Sequence, residues 1–419
     1  MKIFVLNSGG SSVKFKLLEM PSEELIASGK VERLGKKDAI FHFNYGIDKE
    51  IKKVLAIKDH KEAINLLLES LIDEKIAVIK DYKEIDAIGH RVVHAGEKFR
   101  GSVVIDNQVI DAIKECFDLA PLHNPPNVAG IEIFKEILPE TEMVAVFDNA
   151  FHVDIPDYVQ TYAIPYKYYK KYGVRRYGFH GITFDYMTGR AAEILNKDLD
   201  KLKIVSLMMG SGCTANAFKD GKSVEVSTGF TPLEGLVQST RSGDIDPAAV
   251  LYIMKKENLS VEEMDKILNK ESGWLGISEL SNDLRDIIEE SKKIEESKDK
   301  ESRESNGNTI KNLNSNKLSK LALETTAHRA KKYLGAYAAI IGGMDALLFA
   351  GGVGENCALL REKICSDLRF LGLKIDHELN NNIKGEGIIS AEDSAVKILV
   401  INTDEEMLIA RDTYQLVAK

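Results

Sequence analysis

Five short polar clusters in this 419-residue sequence combine residue types that handle anions. They are His90-Arg91-Val92-Val93-His94, Leu122-His123-Asn124, Phe147-Asp148-Asn149-Ala150-Phe151-His152, Arg175-Arg176-Tyr177-Gly178-Phe179-His180-Gly181 and Thr240-Arg241-Ser242-Gly243-Asp244. Three glycine-rich segments accompany them: Asn7-Ser8-Gly9-Gly10-Ser11-Ser12, Gly210-Ser211-Gly212 and Gly351-Gly352-Val353-Gly354-Glu355-Asn356. Taken singly, each has a plain structural explanation. An Arg or His beside a strand end usually makes a surface ion pair or sits satisfied in a core, and Asp148 can cap the element after Val144-Ala145-Val146-Phe147. Together, arginines at strand ends, glycine loops and a strand-end carboxylate point to the handling of phosphate and a carboxylate. A glycine loop that opens a helix presents backbone N–H groups to such an anion.

The elements that position these residues follow from pattern. Ile3-Phe4-Val5-Leu6 is a short apolar strand entering the first glycine loop, and Val13-Lys14-Phe15-Lys16-Leu17 alternates like a returning strand. Lys203-Ile204-Val205-Ser206-Leu207 repeats the arrangement, followed by Gly210-Ser211-Gly212, a second strand and the turn Asp220-Gly221. An offset of 201 places Lys2 on Lys203, Ile3 on Ile204, Leu6 on Leu207 and Gly9 on Gly210, which suggests a duplicated α/β fold. The run Ala346-Leu347-Leu348-Phe349-Ala350 leads into the third glycine loop, with a helical stretch from Leu359 to Leu371. Asp246-Pro247 signals a helix over Ala248 to Lys256. Ser260 with Glu263, and Thr403 with Glu406, have capping-box spacing, the latter starting the last helix. Ser291 to Lys317 holds only Ile294, Ile310 and Leu313 as aliphatics among Lys, Glu, Ser and Asn, and reads as a mobile surface insertion.

Composition narrows the function classes. Hydrophobic residues make up 44%, enough for two or three domains with full cores. The net charge of −9 argues against nucleic acid as the main partner. Cys116, Cys213, Cys357 and Cys365 form no CxxC pair, which excludes a disulfide scaffold and a zinc module. Ile3 to Leu6 is too short an apolar run for a signal peptide, and the apolar stretch from Leu334 is interrupted at Asp345. The expectation is a soluble, cytoplasmic protein without membrane partners.

The long motifs resemble the acetokinase family, within the acetate and sugar kinase/heat-shock/actin superfamily. Asn7-Ser8-Gly9-Gly10-Ser11-Ser12-Val13-Lys14-Phe15 is similar to the family's NSGSSSxKF. Arg175 to Gly181, the run from Thr228-Gly229-Phe230-Thr231-Pro232-Leu233-Glu234-Gly235 through Thr240 to Pro247, Gly352 to Asn356, and Thr403-Asp404-Glu405-Glu406 complete the pattern. The resemblance covers the chain apart from 291–317. It implies two duplicated actin-like (ribonuclease H-like) α/β domains with a cleft between them. One spans 1–150 and is completed by a C-terminal helix at about 406–419. The other, nucleotide-binding, spans 151–405 and carries the insertion.

The implied activity is reversible Mg²⁺-dependent phosphoryl transfer from ATP to acetate, giving acetyl phosphate and ADP, with Mn²⁺ as a substitute metal and a homodimer as the assembly. By the resemblance, Arg91 and Arg241 hold the substrate carboxylate and the migrating phosphoryl group, His180 stabilises the transition state and Asp148 is the catalytic aspartate. Asn7 and Glu405 belong to the magnesium site. Val93, Leu122, Phe179 and Pro232 surround the acetyl methyl group. Lys14 contacts nucleotide phosphate, joined on the nucleotide side by Met208, Met209, Gly210, Ser211 and Gly212, by Asp283, Leu284 and Arg285, and by Gly352, Val353, Gly354, Glu355 and Asn356.

Because a carboxylate substrate is already an anion at neutral pH, Asp148 is expected to position metal-bound water or orient an arginine rather than abstract a proton. The chain departs from the family on its phosphate-facing loops. Met208-Met209-Gly210-Ser211-Gly212 stands where HLGNG is usual, Gly10 stands for serine, and Ile182-Thr183-Phe184 follows His180-Gly181 where Thr-Ser-His is usual. Asn149 replaces a threonine and Asp404 an asparagine. These changes bear on phosphoryl donor and rate, while the carboxylate-side residues are intact. The alternatives are a propionate or other short-chain acyl kinase, a pyrophosphate-linked variant, and a catalytically weak nucleotide-binding regulatory relative. Retention of Arg91, Asp148, His180 and Arg241 argues against the last.

Overall fold

The computed structural model describes residues 1–47, 49–76, 78–121, 123–298 and 307–418, with the side chains of 294–298 and 307–314 outside that description. The chain divides into two compact units. Unit 1 comprises Met1–Val153, His180–Tyr186 and Asp404–Lys419; unit 2 comprises Asp154–Phe179 and Met187–Thr403.

In unit 1, β1 (Lys2–Ser8), β2 (Ser12–Glu19), β3 (Glu24–Glu32), β4 (Ala39–Tyr45), β5 (Lys49–Leu55), β6 (Ala87–Val92), β7 (Val103–Val104) and β8 (Glu142–Phe147) form one sheet. Its order is β5-β4-β3-β2-β1-β6-β8-β7. The first five strands run as an antiparallel meander, and β6 and β8 join β1 in parallel. β1 is buried almost throughout because both of its faces are covered, and its Ile3 to Leu6 are accordingly apolar. Phe4 and Leu6 pack into the cluster that holds Phe134 of helix Asn124–Ile137, while Ile3 and Val5 pack with Ile409 and Ala410 of helix Glu405–Val417. At the far edge β5 reads Lys-Glu-Ile-Lys-Lys-Val-Leu and is largely exposed, its lysines discouraging further strand addition.

In unit 2, β9 (Ile204–Met209), β10 (Cys213–Lys219), β11 (Lys222–Val226), β12 (Ala346–Ala350), β13 (Gly387–Ile388) and β14 (Lys397–Val400) form a sheet ordered β11-β10-β9-β12-β14-β13. Three antiparallel strands followed by two parallel ones is the succession β3-β2-β1-β6-β8 again. The duplication suggested by the offset of 201 is therefore present as topology, as expected for duplicated actin-like domains. Both hairpin loops are closed by a glycine N–H: Gly9 N–H donates to Ser12 O and Gly210 N–H to Gly212 O, both at 2.8 Å. The second loop is the shorter one, closing at Met209↔Cys213 where the first closes at Ser8↔Val13. Asp220 and Gly221, at φ 53° and 74°, make the tight turn after β10.

Helix Pro247–Glu257 begins with Asp246 accepting from Ala248 N–H, and Val261–Lys270 begins with the reciprocal Ser260/Glu263 box. Four expectations need correction. The last helix is not capped by Thr403 and Glu406; Asp404 is its N-cap, accepting from Met407 N–H at 2.9 Å, and Glu406 turns to Asn7 instead. Gly351–Asn356 is itself a helical turn rather than a loop, and the stretch expected over 359–371 is helix Ala358–Cys365 followed by a separate turn at Arg369–Leu371. Helices Leu284–Lys298 and Gly307–Ile341 enter the segment 291–317 from both sides, and Asn316 is buried; residues 299–306 of that expectation lie outside the described residues. Finally, His180–Tyr186 groups with unit 1 rather than with the rest of 151–405, because the start of helix Gly181–Leu195 is bonded to Asp148. Among the described residues no helix is long and apolar enough to cross a membrane.

Candidate active site

In unit 1 the carboxyl ends of β1, β6 and β8 deliver Asn7, Arg91 and Asp148 to one place. The Arg91 guanidinium donates from Nη2 to Asp148 Oδ2, lies with Nε 3.4 Å from Asp148 Oδ1, and donates from Nη1 to Asn7 Oδ1 at 3.3 Å. Glu405, the first residue of the last helix, sits 3.6 Å from Arg91 Nε. Asn7 Nδ2 donates to Glu405 at 3.3 Å and to Glu406 at 3.2 Å, and Thr183 Oγ1 donates to Glu405 Oε1 at 2.5 Å.

His180 is at φ 60°, and Gly181 N–H donates to Asp148 O at 2.8 Å. A Cβ at position 181 would stand 2.1 Å from that oxygen, so only glycine allows the approach. The first turn of the helix then gives Asp148 the Ile182 N–H as a further partner.

Burial and charge work against each other here. Burial pushes Asp148 up to about 6, against the pull of Arg91 and the Ile182 N–H, and nearby Glu405 adds to the rise. Burial also opposes ionisation of Glu405, but Arg91, Thr183, His180 and Lys14 together hold it below the usual carboxylate range. Arg91 loses to burial and gains more from Asp148 and Glu405, so its charge is locked on. Lys14 itself is exposed, opposite Asn7 across the β1–β2 ladder. Val93 is buried, with its N–H on Asn127 Oδ1 at 3.2 Å; Leu122 lies outside the described residues.

The oxygen-rich donor set of Asn7, Glu405 and Glu406 suits a hard cation. Among the described residues no three His, Cys, Asp or Glu side chains converge as a chelating group. A hard divalent cation is held through one or two carboxylates, waters and phosphate oxygens, and Glu405 and Glu406 supply the carboxylates.

In unit 2, Arg241 follows a turn whose Gln238 N–H donates to Arg241 O at 3.2 Å. Its guanidinium donates from Nη1 to Gln238 Oε1 at 3.1 Å, and among the described residues it forms no ion pair. Phe179 is buried with its N–H on Thr228 Oγ1, and the Pro232 carbonyl accepts from Gln238 Nε2 at 2.8 Å.

A cavity of about 600 Å³ lies beside this turn. Gly210, Ser211, Gly352 and Asn356 contribute polar backbone and side-chain groups, Trp274, Leu284, Ile288 and Val353 an apolar wall, and Asp283 and Arg285 its edge. Apolar wall plus glycine turns suits a nucleoside with phosphates. Met208 and Met209 are instead buried, and Gly212 is absent from the lining. Gly354 and Glu355 also stand back from it: Gly354 O accepts from the buried Arg361, and Glu355 Oε1 accepts from Gly351 N–H and Thr403 N–H.

Several residues here carried no recognisable signal. Asn127, in Asn124-Pro125-Pro126-Asn127, donates to Ser8 O at 2.8 Å while accepting from Val93 N–H, and so ties the strand ends that carry Asn7 and Arg91. Thr183, Glu406 and Gln238 also enter through side chains that meet a distant carboxylate, carboxamide or backbone group. Sequence offers only the unusual pairing of two asparagines around two prolines as a pointer.

The chain is similar to known proteins over its whole length. The profile of the acetokinase family matches residues 2–411. The acetate kinase of Caldanaerobacter subterraneus subsp. tengcongensis is 49% identical over 417 residues, covering 100% of this chain and 99% of that protein. The crystal structure of Porphyromonas gingivalis acetate kinase superposes with a TM-score of 0.88 at 43% identity, covering 100% of both chains. That of a Francisella tularensis propionate kinase gives 0.86 at 39%, covering 99% of both.

Proposed function

The chain belongs to the acetokinase family of phosphotransferases, and on that premise we propose that it transfers the γ-phosphoryl group of ATP reversibly to the carboxylate of acetate, giving acetyl phosphate and ADP. The observation that carries this reading is the Arg91–Asp148 pair at the carboxyl ends of two parallel strands. Acetate ionises near the model carboxylate value of about 4.3, so at neutral pH it attacks without a general base. The barrier is the meeting of two anions and the charge spread over a loose, in-line transition state.

Positive groups aimed at that charge lower the barrier. Arg91, oriented by Asp148, and Arg241 are each assigned to the carboxylate and the migrating phosphoryl group, and His180 donates to the equatorial oxygens. Asp148 thus acts through Arg91 and moves no proton. Asn7 and Glu405 would hold Mg²⁺, with Glu406 beside them, and the ion would screen the negative charge of the nucleotide phosphates. The 600 Å³ cavity takes the nucleoside.

Acetate is the acceptor we favour over propionate, although one methylene alone typically changes discrimination by about 1–3 kcal/mol. We place the enzyme in the cytoplasm as a homodimer. Helix Pro247–Glu257 supports association because none of its residues is buried, with Leu251 and Tyr252 67% and 63% exposed.

Phosphorus NMR of the purified protein with MgATP and acetate tests the reading. An acyl phosphate resonance should grow with ADP, and kcat/KM should be higher for acetate than for propionate. ADP and inorganic phosphate without acyl phosphate would contradict it.

A further inference from the structure

Gln238 is fully buried in unit 2, and its carboxamide touches three segments of the site. Oε1 accepts from Cys213 N–H at 3.3 Å, just past the second glycine turn, and from Arg241 Nη1 at 3.1 Å. Nε2 donates to Pro232 O at 2.8 Å, with Leu233 O at 3.5 Å. The backbone is equally engaged. Gln238 O accepts from Trp274 N–H at 2.9 Å, Ser239 O from Leu275 N–H at 3.0 Å and Thr240 O from Ser272 N–H at 3.0 Å. Gly273 permits this docking: at φ +63°, a Cβ there would stand 2.1 Å from Gln238 O. The next side chain points the same way, since Ser239 N–H and Oγ both donate to Ser211 O, at 3.1 and 2.8 Å.

The contrast with Arg91 is chemical. Arg91 is held by carboxylates, which orient it and offset its charge. Arg241 is held by a neutral amide oxygen, and among the described residues no carboxylate pairs with it. A guanidinium has five N–H donors and no acceptor. One bond to an amide oxygen fixes its plane while leaving the remaining donors and the full charge for an incoming oxyanion.

We propose that Gln238 is the positioning residue of unit 2: it sets the Arg241 guanidinium for the substrate anion, keeps its charge uncompensated, and locks it in register with the Gly210–Gly212 turn and the Pro232 carbonyl. The proposal rests on the reading of Arg241 as a residue that holds the substrate anion.

Gln238→Glu tests it. The glutamate keeps the acceptor atoms and side-chain length, but pairs with Arg241 and loses the donor to Pro232. The KM for acetyl phosphate should rise about tenfold or more and kcat should fall by at least about tenfold, while the KM for ADP stays within about twofold. A merely structural role would shift melting temperature without that split. A folded Gln238→Glu enzyme with native constants overturns the proposal.

Arg241→Lys supplies a second reading at a half-exposed position. Lysine keeps the charge but loses the fork that Gln238 orients, so turnover should drop to the level of Arg241→Ala. Native turnover in Arg241→Lys overturns the positioning role whatever the 238 variant does. Native turnover in Arg241→Ala would instead overturn the assignment of Arg241 itself.

Discussion

Asp148 meets Arg91 through both carboxylate oxygens, Oδ2 on Nη2–H and Oδ1 3.4 Å from Nε. The two residues lie 57 positions apart and reach each other because β6 and β8 pair in parallel, with Arg91 opposite Val146 and Val92 opposite Phe147. A carboxylate committed to a guanidinium in this way is an orienting group.

That commitment gives a pH dependence. Burial pushes Asp148 up to about 6, so the carboxylate is protonated below that pH and charged above it. Only the charged form offsets and orients Arg91. Activity should therefore rise as pH increases through about 6, and Asp148→Asn should be slow with that acid limb removed. The measurement is kcat/KM for acetyl phosphate against pH in both enzymes at saturating Mg²⁺ and ADP, so that the nucleotide's own titration is common to the two profiles. An identical limb in Asp148→Asn would assign the titration to another group.

Gly181 sets the distance between His180 and Asp148. Its N–H is bonded to Asp148 O, and a methyl group cannot enter the 2.1 Å available. Gly181→Ala must push the helix start away from β8, which moves His180 and withdraws the Ile182 N–H from Asp148. We expect kcat to fall about a hundredfold, as when one strong transition-state donor is lost, with a lowered melting temperature. Native kcat in the alanine variant would show that this contact does not position His180.

Ser211 is exposed at the tip of the second glycine turn and lines the cavity; its carbonyl, held by Ser239, anchors the turn. An asparagine side chain there would have two amide donors and a longer reach than the serine hydroxyl. If the missing donor acts on the transition state, Ser211→Asn should raise kcat with ATP about tenfold, or about 1.4 kcal/mol. A fall with ATP would show that the turn has repacked around serine. A rise with ATP and a fall with pyrophosphate would show that donor preference is set at this residue.

The duplicated hairpins were legible because a strand announces itself by local apolar runs and a turn by glycine, and both repeat at a fixed offset. The Asp246 and Ser260 helix starts were legible for the same reason: the cap and its partner are two or three residues apart. Thr403 and Glu406 have the same spacing and misled, because Asp404 competes for the cap while Glu355 faces Thr403 and Asn7 faces Glu406. Those rivals come from distant parts of the chain. The bonds that hold the site share this property. Asn127 to Ser8, Gln238 to Cys213 and Thr183 to Glu405 join residues far apart, with no period or spacing to betray them. Composition also failed at 291–317, where a polar tract is helical at both described ends; helix needs no apolar core when its flanks are packed.

The most direct test of the account is kcat for ATP formation from acetyl phosphate and ADP in Arg91→Ala and Arg241→Ala. Each arginine is assigned charge that strengthens its hold as the phosphoryl group migrates, so each variant should lose at least about a hundredfold in kcat. The loss should appear in kcat more than in the KM for ADP. Near-native turnover in both variants would contradict the claim that these two guanidinium groups carry the transfer.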